Sequence, residues 1–330
     1  MTADRPQFQP LPESVDRPAT LRPSATVATT LARPADSPSR RPELAADCWF
    51  LSGPTASGKS ALGVRLAREL GAEIVSVDSM AVYRGLDVGT AKPTPEQRRA
   101  VPHHLLDVVS PADPYSVARW LGDAAAVVDD CRRRGQKILF VGGTPLYLRA
   151  LRDGLAEVPG EDPDLRRRLT AEASAHGSAQ LHARLAAVDP ATAARLHPND
   201  LKRIIRALEV EQLSGRPLSQ AFAPEPHPVF ERQFFVLDLP RPVLYERIDR
   251  RVERMFAEGI VEETRAALAA PGGLGPTAVQ AAGYAEAADL LAGRIDRAEA
   301  IRRTQQRTRQ LAKRQLTWLR SFEHARWIPA

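Results

Sequence analysis

The sequence is poor in the features that define several protein classes. Its 330 residues include only two cysteines, Cys48 and Cys131, which are not spaced as metal ligands. That excludes a disulfide scaffold and a zinc ribbon; both thiols read as small buried hydrophobes in a reducing compartment. No uninterrupted apolar stretch approaches the roughly 20 residues that cross a bilayer, so no membrane role is expected. The first residues lack the apolar segment of a secretory signal, and a cytoplasmic location is expected. No internal repeat is present. The remaining composition, 43% hydrophobic and 26% charged, is that of a globular protein.

The net charge of +6 is concentrated at one end. Residues 301–330 hold seven Arg and one Lys against the single acid Glu323, a net +7. A basic helix there points to a polyanionic partner, although a solvated charged face is the plainer reading. Residues 1–46 carry eight prolines and almost no apolar periodicity, and read as a disordered extension dispensable for catalysis.

The chemistry starts at Gly53-Pro54-Thr55-Ala56-Ser57-Gly58-Lys59-Ser60. Before it stands the apolar run Cys48-Trp49-Phe50-Leu51, a short buried strand. After it Leu62, Leu66 and Leu70 recur at helical spacing. Strand, glycine-bounded loop and helix form the context of a phosphate-binding P-loop. Gly53 and Gly58 let the backbone turn its N–H groups toward phosphate oxygens, and the helix N-terminus adds partial positive charge. Lys59 reaches the outer phosphate, and Ser60 is placed to hold Mg²⁺. A P-loop names a ligand class and leaves the reaction open.

Two further strands place polar residues on the same edge. Ala72 to Val77 leads to Asp78-Ser79, and Lys137 to Val141 leads to Gly142-Gly143-Thr144. Ligands of open α/β sheets bind outside the carboxyl ends of the strands. Asp78 has three readings there: a Mg²⁺ carboxylate, a general base, or a helix N-cap. Thr144 offers a hydroxyl with little bulk. The Gly-rich stretch 83–94 reads as a second anion-contacting loop, and His103-His104 as packing or capping residues.

The pattern turns helical at 164–175, 178–187, 189–195 and 199–213, with Asn199-Asp200 as the last N-cap. Lys202 and Arg206 fall together there, and Ile204, Ile205 and Leu208 turn inward. Residues 158–218 are expected to form an inserted all-helical module. Residues 47–157 and 219–330 would form a P-loop NTPase-like α/β core, a parallel sheet flanked by helices with a helical C-terminus. On the helix from Tyr245 to Phe256, Arg247, Arg251 and Arg254 share one face, and Arg247 is placed to close over phosphates.

Together these motifs resemble the tRNA dimethylallyltransferases, also called tRNA isopentenyltransferases. The resemblance rests on Gly53–Ser60, Ser76-Val-Asp-Ser79, Val88-Gly-Thr-Ala-Lys-Pro93, Tyr115-Ser116, Val141–Thr144, Asn199-Asp200, Arg206–Glu209, Gly283-Tyr284 and Arg309–Arg320, in the family's order over about residues 47–328. It implies transfer of a dimethylallyl group from dimethylallyl diphosphate to N6 of adenosine 37 of tRNA, assisted by Mg²⁺; separately, a monomer is expected. It further implies that the P-loop holds the diphosphate, that Asp78 is the general base, and that Thr144 contacts the flipped-out adenosine. It places tRNA contacts at Asp78, Ser79, Met80, Ala81, Thr144, Arg166, Lys202, Arg203, Ile204, Ile205 and Arg206, and at Gln280, Ala281, Ala282, Gly283, Tyr284 and Ala285. The sequence departs from the family's pattern after Tyr284, where a Lys or Arg is frequent and Ala285 stands here. It also lacks the zinc finger of some eukaryotic members, and its proline-rich start is not part of the pattern. The alternatives are a P-loop small-molecule or nucleoside kinase, a prenyltransferase for free adenine nucleotide, and an RNA-binding module with a vestigial P-loop.

Overall fold

Runs of β-branched and aromatic residues set the sheet. The computed structural model describes residues 40–221 and 225–330. Among these residues six strands form one sheet: β1 (Cys48–Ser52), β2 (Ala72–Val77), β3 (His103–His104), β4 (Lys137–Gly142), β5 (Phe234–Asp238) and β6 (Arg326–Pro329). Their order is β3-β2-β4-β1-β5-β6, and every pairing is parallel. All six residues of β2 are buried, as expected of a strand covered by helices on both faces. The expected parallel α/β sheet is present, and it gains β6, which lies beyond the basic helix and gave no clear strand signal.

Helix α1 (Lys59–Leu70) leaves the loop after β1 and ends at Gly71, whose φ of 63° only glycine adopts without cost. It covers one face of the sheet, packing with Leu51, Ile74, Leu139 and Val141. The other face carries the main core, including Phe50, Phe140, Trp120 and Tyr147, beneath α3 (Val117–Arg133) and α4 (Pro145–Asp153), which follow α2 (Pro95–Ala100). Phe50 and Phe140 stack across β1 and β4 with centroids 5.0 Å apart.

Next come α5 (Pro163–His176), α6 (Ser178–Val188), α7 (Pro190–Ala193) and α8 (Leu201–Ser214), with a hydrophobic core of their own built on Leu165, Leu181, Leu185, Ile204 and Leu208. By contacts this segment stays within the same compact unit as the sheet. Asp200 occupies the N-cap of α8 but makes no side-chain cap bond; its carboxylate accepts instead from Arg203 at 2.6 Å. After α9 (Pro228–Arg232) and β5, the helices α10 (Arg241–Glu258), α11 (Ile260–Ala269), α12 (Tyr284–Leu291) and α13 (Arg297–Leu319) share a further core around Ile248, Val252, Phe256 and Ala312.

The reading of residues 1–46 as disordered falls largely on residues 1–39, outside the described residues. Residues 40–46 are attached to the core. Leu44 is buried within it, and Arg41 donates to the carbonyls of Arg152 and Glu225 at 2.9 and 3.1 Å. Both cysteines are free and buried, and burial pushes each thiol up to about 12. Cys131 shares its site with Glu73 and His104, but Arg134 binds the Glu73 carboxylate through both oxygens. The hydrogen bonds of Arg134 hold Glu73 down at about 2, so this group is a satisfied ion pair.

Candidate active site

Three strand ends converge on one edge. The order β2-β4-β1 puts the P-loop after β1, Asp78 after β2, and Gly143-Thr144 between them after β4. With strands about 4.8 Å apart, the loop and Asp78 are separated by about 10 Å, with Thr144 in the gap. One pocket is lined by Lys59, Ser60, Ser76, Asp78, Thr90, Lys92 and Gly142.

The P-loop has the backbone its sequence requires. Gly58 stands at φ 90° at the N-cap of α1, and Ala56 holds φ 62°, a region a residue with a Cβ occupies only when its surroundings impose it. Ser57 presents a buried hydroxyl with no partner among the described residues, while Ser60 is exposed on the first turn of the helix. The Ser60 hydroxyl and the Asp78 carboxylate, which line one pocket, are hard oxygen donors that fit Mg²⁺. Lys59 lies under the loop and donates to the Pro54 carbonyl at 3.2 Å. Burial pushes its ammonium down to about 8, against the pull of Asp78.

An anion placed in the loop would raise that pKa. Pyrophosphate binding at pH 8 to 9 is therefore expected to take up a proton at Lys59. The sign follows directly: the affinity gained from the charged ammonium is complete below about pH 8 and is lost as pH rises through the bound-state value. Titration calorimetry in two buffers of different ionisation enthalpy reads the uptake, and the Lys59→Met variant should lack that portion. Equal uptake in both proteins would refute the assignment.

Asp78 is held from one side. Its Oδ1 accepts the backbone N–H groups of Met80 at 2.8 Å and Ala81 at 3.2 Å, which fixes the turn and leaves Oδ2 outside it. The N-cap-like contacts and a free carboxylate oxygen thus coexist. The Thr144 hydroxyl accepts the Ser79 N–H at 3.0 Å, and the Thr144 N–H donates to the Val77 carbonyl at 3.2 Å. Thr144 ties the β2 and β4 loops together and stays half-buried beside the pocket.

One helix, α10, closes on the loop from outside. Arg247 is exposed and donates to the Ser57 carbonyl at 3.4 Å. Arg251, one turn later, donates to the Thr55 hydroxyl at 3.0 Å and lies near enough to Asp78 to feel its charge. Sequence reasoning singled out Arg247 alone; the i, i+4 spacing that placed Arg251 on the same face was the available signal.

The residues matched to tRNA contacts occupy several environments. Ser79 and Met80 are half-buried and Ala81 is buried beside Asp78. Lys202 and Arg203 are exposed on α8. Ile204 and Ile205 belong to the helical core, so their side chains offer a partner no surface. Arg166 and Arg206 both bind the fully buried carboxylate of Glu209, Arg166 through two bonds of 2.9 Å, and Arg206 also donates to the Pro159 carbonyl at 2.8 Å. These arginines fasten the helical segment, and only their outer faces remain open. Gln280 is exposed, and Ala282 and Ala285 are half-buried. Ala281, Gly283 and Tyr284 are buried.

Tyr284 has a different use. Its hydroxyl donates to Glu263 at 2.6 Å, and the Glu263 carboxylate accepts the backbone N–H groups of Asp87, Val88 and Gly89. A Cβ on Gly89 would lie 2.4 Å from the Tyr284 ring. The Gly-rich loop expected to contact an anion is therefore filled from within by a carboxylate. Lys92 within it is likewise neutralised by Asp87 and Asp107.

This arrangement has relatives. The IPP transferase family matches residues 81–322 and the isopentenyl transferase family residues 46–107. A tRNA dimethylallyltransferase of Anaeromyxobacter dehalogenans (strain 2CP-C) is 52% identical over 283 residues, 84% of this chain and 93% of that protein. One from Geobacter metallireducens is 48% identical over 84% of this chain and 91% of its own length. Among solved structures, the tRNA isopentenylpyrophosphate transferase of Bacillus halodurans is 38% identical with a TM-score of 0.61, covering 86% of this chain and 89% of that one. A eukaryotic dimethylallyltransferase acting on tRNA is 25% identical with a TM-score of 0.70, covering 86% and 73%. With a family match across most of its length and relatives about half identical to it, the chain belongs to the IPP transferase family.

Proposed function

We propose that this protein transfers a dimethylallyl group from dimethylallyl diphosphate to N6 of adenosine 37 in tRNA, releasing diphosphate. The observation that carries the reading is the placement of a P-loop and a carboxylate about two strand spacings apart on one sheet edge, with Thr144 between them. That gap suits a reaction at carbon: diphosphate on one side, the amine and its base on the other.

The N6 lone pair attacks C1 of the allyl group as the C1–O bond breaks, and the electron pair leaves with diphosphate. The proton released from N6 passes to Asp78 Oδ2, the oxygen outside the turn. The adenine amine is a weak nucleophile, so orientation and charge stabilisation carry most of the acceleration. P-loop N–H groups, Lys59 and Arg247 receive the charge growing on the departing oxygen. Ser60 would hold Mg²⁺, which would supply further neutralisation of that leaving group. Extruding a base from an anticodon-loop stack costs a few kcal/mol. Phosphate contacts from exposed cations such as Lys202, Arg203 and those of α13 offset it.

No helix among the described residues is long and apolar enough to cross a membrane. We place the enzyme in the cytoplasm as a monomer, where its tRNA and isoprenoid substrates meet. The test is incubation with Mg²⁺, radiolabelled dimethylallyl diphosphate and unmodified tRNA bearing an A36-A37-A38 run. Label is expected in tRNA at A37. No label in tRNA, with ATP turnover on a small acceptor, would overturn the reading in favour of a kinase.

A further inference from the structure

We infer that Gln315 is a positioning residue that sets the separation between the diphosphate cradle and Thr144. The inference rests on the transfer reaction above.

Gln315 lies on α13, between Ala312 and Leu316 on the face that packs against the protein, and is 8% exposed. Its amide spans two loops that no covalent connection holds together. The Thr55 N–H donates to its Oε1 at 2.8 Å, and its Nε2 donates to the Gly143 carbonyl at 2.8 Å. A backbone N–H only donates and a carbonyl only accepts, so the amide has one orientation that satisfies both.

The two loops meet closely at this point. A Cβ on Gly143 would lie 2.9 Å from the Gly53 carbonyl and 2.9 Å from Gln315 Nε2. The amide therefore fits between the start of the P-loop and the residue before Thr144. One P-loop N–H, that of Thr55, is turned away from an anion and given to Gln315. Arg251 holds the hydroxyl of the same residue from α10. Thr55 is thereby fixed from two helices; the Ser57 N–H is used within the loop by the Pro54 carbonyl, while those of Gly58 and Lys59 stay free for phosphate.

The consequence is kinetic. Reacting atoms must approach along a line from the diphosphate to the amine, and a shift of about 1 Å in one loop costs about 10²-fold in rate. Both ends of the Gln315 amide are spent on backbone groups of the protein, so its loss should lower the rate at saturation and spare both affinities.

The full-length enzyme is compared with its Gln315→Met and Gln315→Asn variants. Met keeps the length and removes both hydrogen bonds, whereas Asn keeps the amide and is too short to span the gap. Single-turnover transfer at saturating dimethylallyl diphosphate and tRNA is expected to fall about 10²-fold in Met and nearly as far in Asn, with both dissociation constants within about 3-fold of wild type. A folded variant of either kind that reacts within about 3-fold of wild type at saturation overturns the inference, whatever its melting temperature. So does a loss confined to diphosphate or tRNA affinity. Wild-type enzyme that transfers no label at all would instead defeat the reaction assignment.

Discussion

Asp78→Asn is expected to lower single-turnover transfer about 10³-fold, the largest effect of any single change at this site. The substitution is chosen for its geometry. Oδ1 of Asp78 already accepts two backbone N–H groups, from Met80 and Ala81, and an asparagine oxygen can accept both unchanged. What is lost is the second oxygen as a proton acceptor. Alanine would also free the turn and displace Ser79, whose N–H is bonded to Thr144, confusing base loss with loop loss. Filter binding should show tRNA affinity largely retained by Asp78→Asn. Weak tRNA binding with a normal single-turnover rate would contradict the role of the base.

The second large effect is expected at a residue with no functional group. Gly142 pairs with Val77 across β4 and β2, and a Cβ there would lie 2.1 Å from the Val77 carbonyl oxygen. The clashing atoms are backbone, so no side chain can move aside. Gly142→Ala must separate the two strand ends where Asp78 and Thr144 begin. We expect a stability loss of about 3 kcal/mol, at the upper end for overpacking, read by urea unfolding. The remaining folded enzyme should react about 10²-fold more slowly, because the loops holding base and hydroxyl are pushed apart. Unchanged unfolding and unchanged rate would show that the strands separate at no cost.

What the sequence disclosed follows a physical division. The P-loop, Asp78 and Thr144 were legible because each ends a strongly apolar strand, and strand ends of a parallel sheet face one edge. The helical stretch between the α/β segments was legible from its 3.6-residue period. Residues acting through long-range contacts were not. Glu263 reaches Val88 across 175 positions, and Gln315 reaches Thr55 across 260. Their only local trace is a polar side chain on an otherwise apolar stripe, as with Gln315 beside Ala312 and Leu316, and Glu209 beside Ile205 and Leu208. The cations of 202–206 show the converse limit. Spacing put Lys202 and Arg206 together, but it could not reveal that Arg206 shares a buried carboxylate with Arg166. β6 is four residues with a proline at its end, too short for a period to show.

The reach of Gln315 also bears on how the protein is born. The P-loop leaves the ribosome early, yet the amide that fixes Thr55 is synthesised 260 residues later. Strand β6, which pairs with β5, emerges later still. A nascent chain can close α1 onto β1, but it cannot complete the diphosphate cradle until α13 has been made and docked. At 5–20 residues per second that interval is on the order of 10–50 seconds. In the first part of that interval β1 lacks both neighbours, and one of its edges stays unpaired until β5 is made, which makes this the period in which chaperones should matter most to its yield.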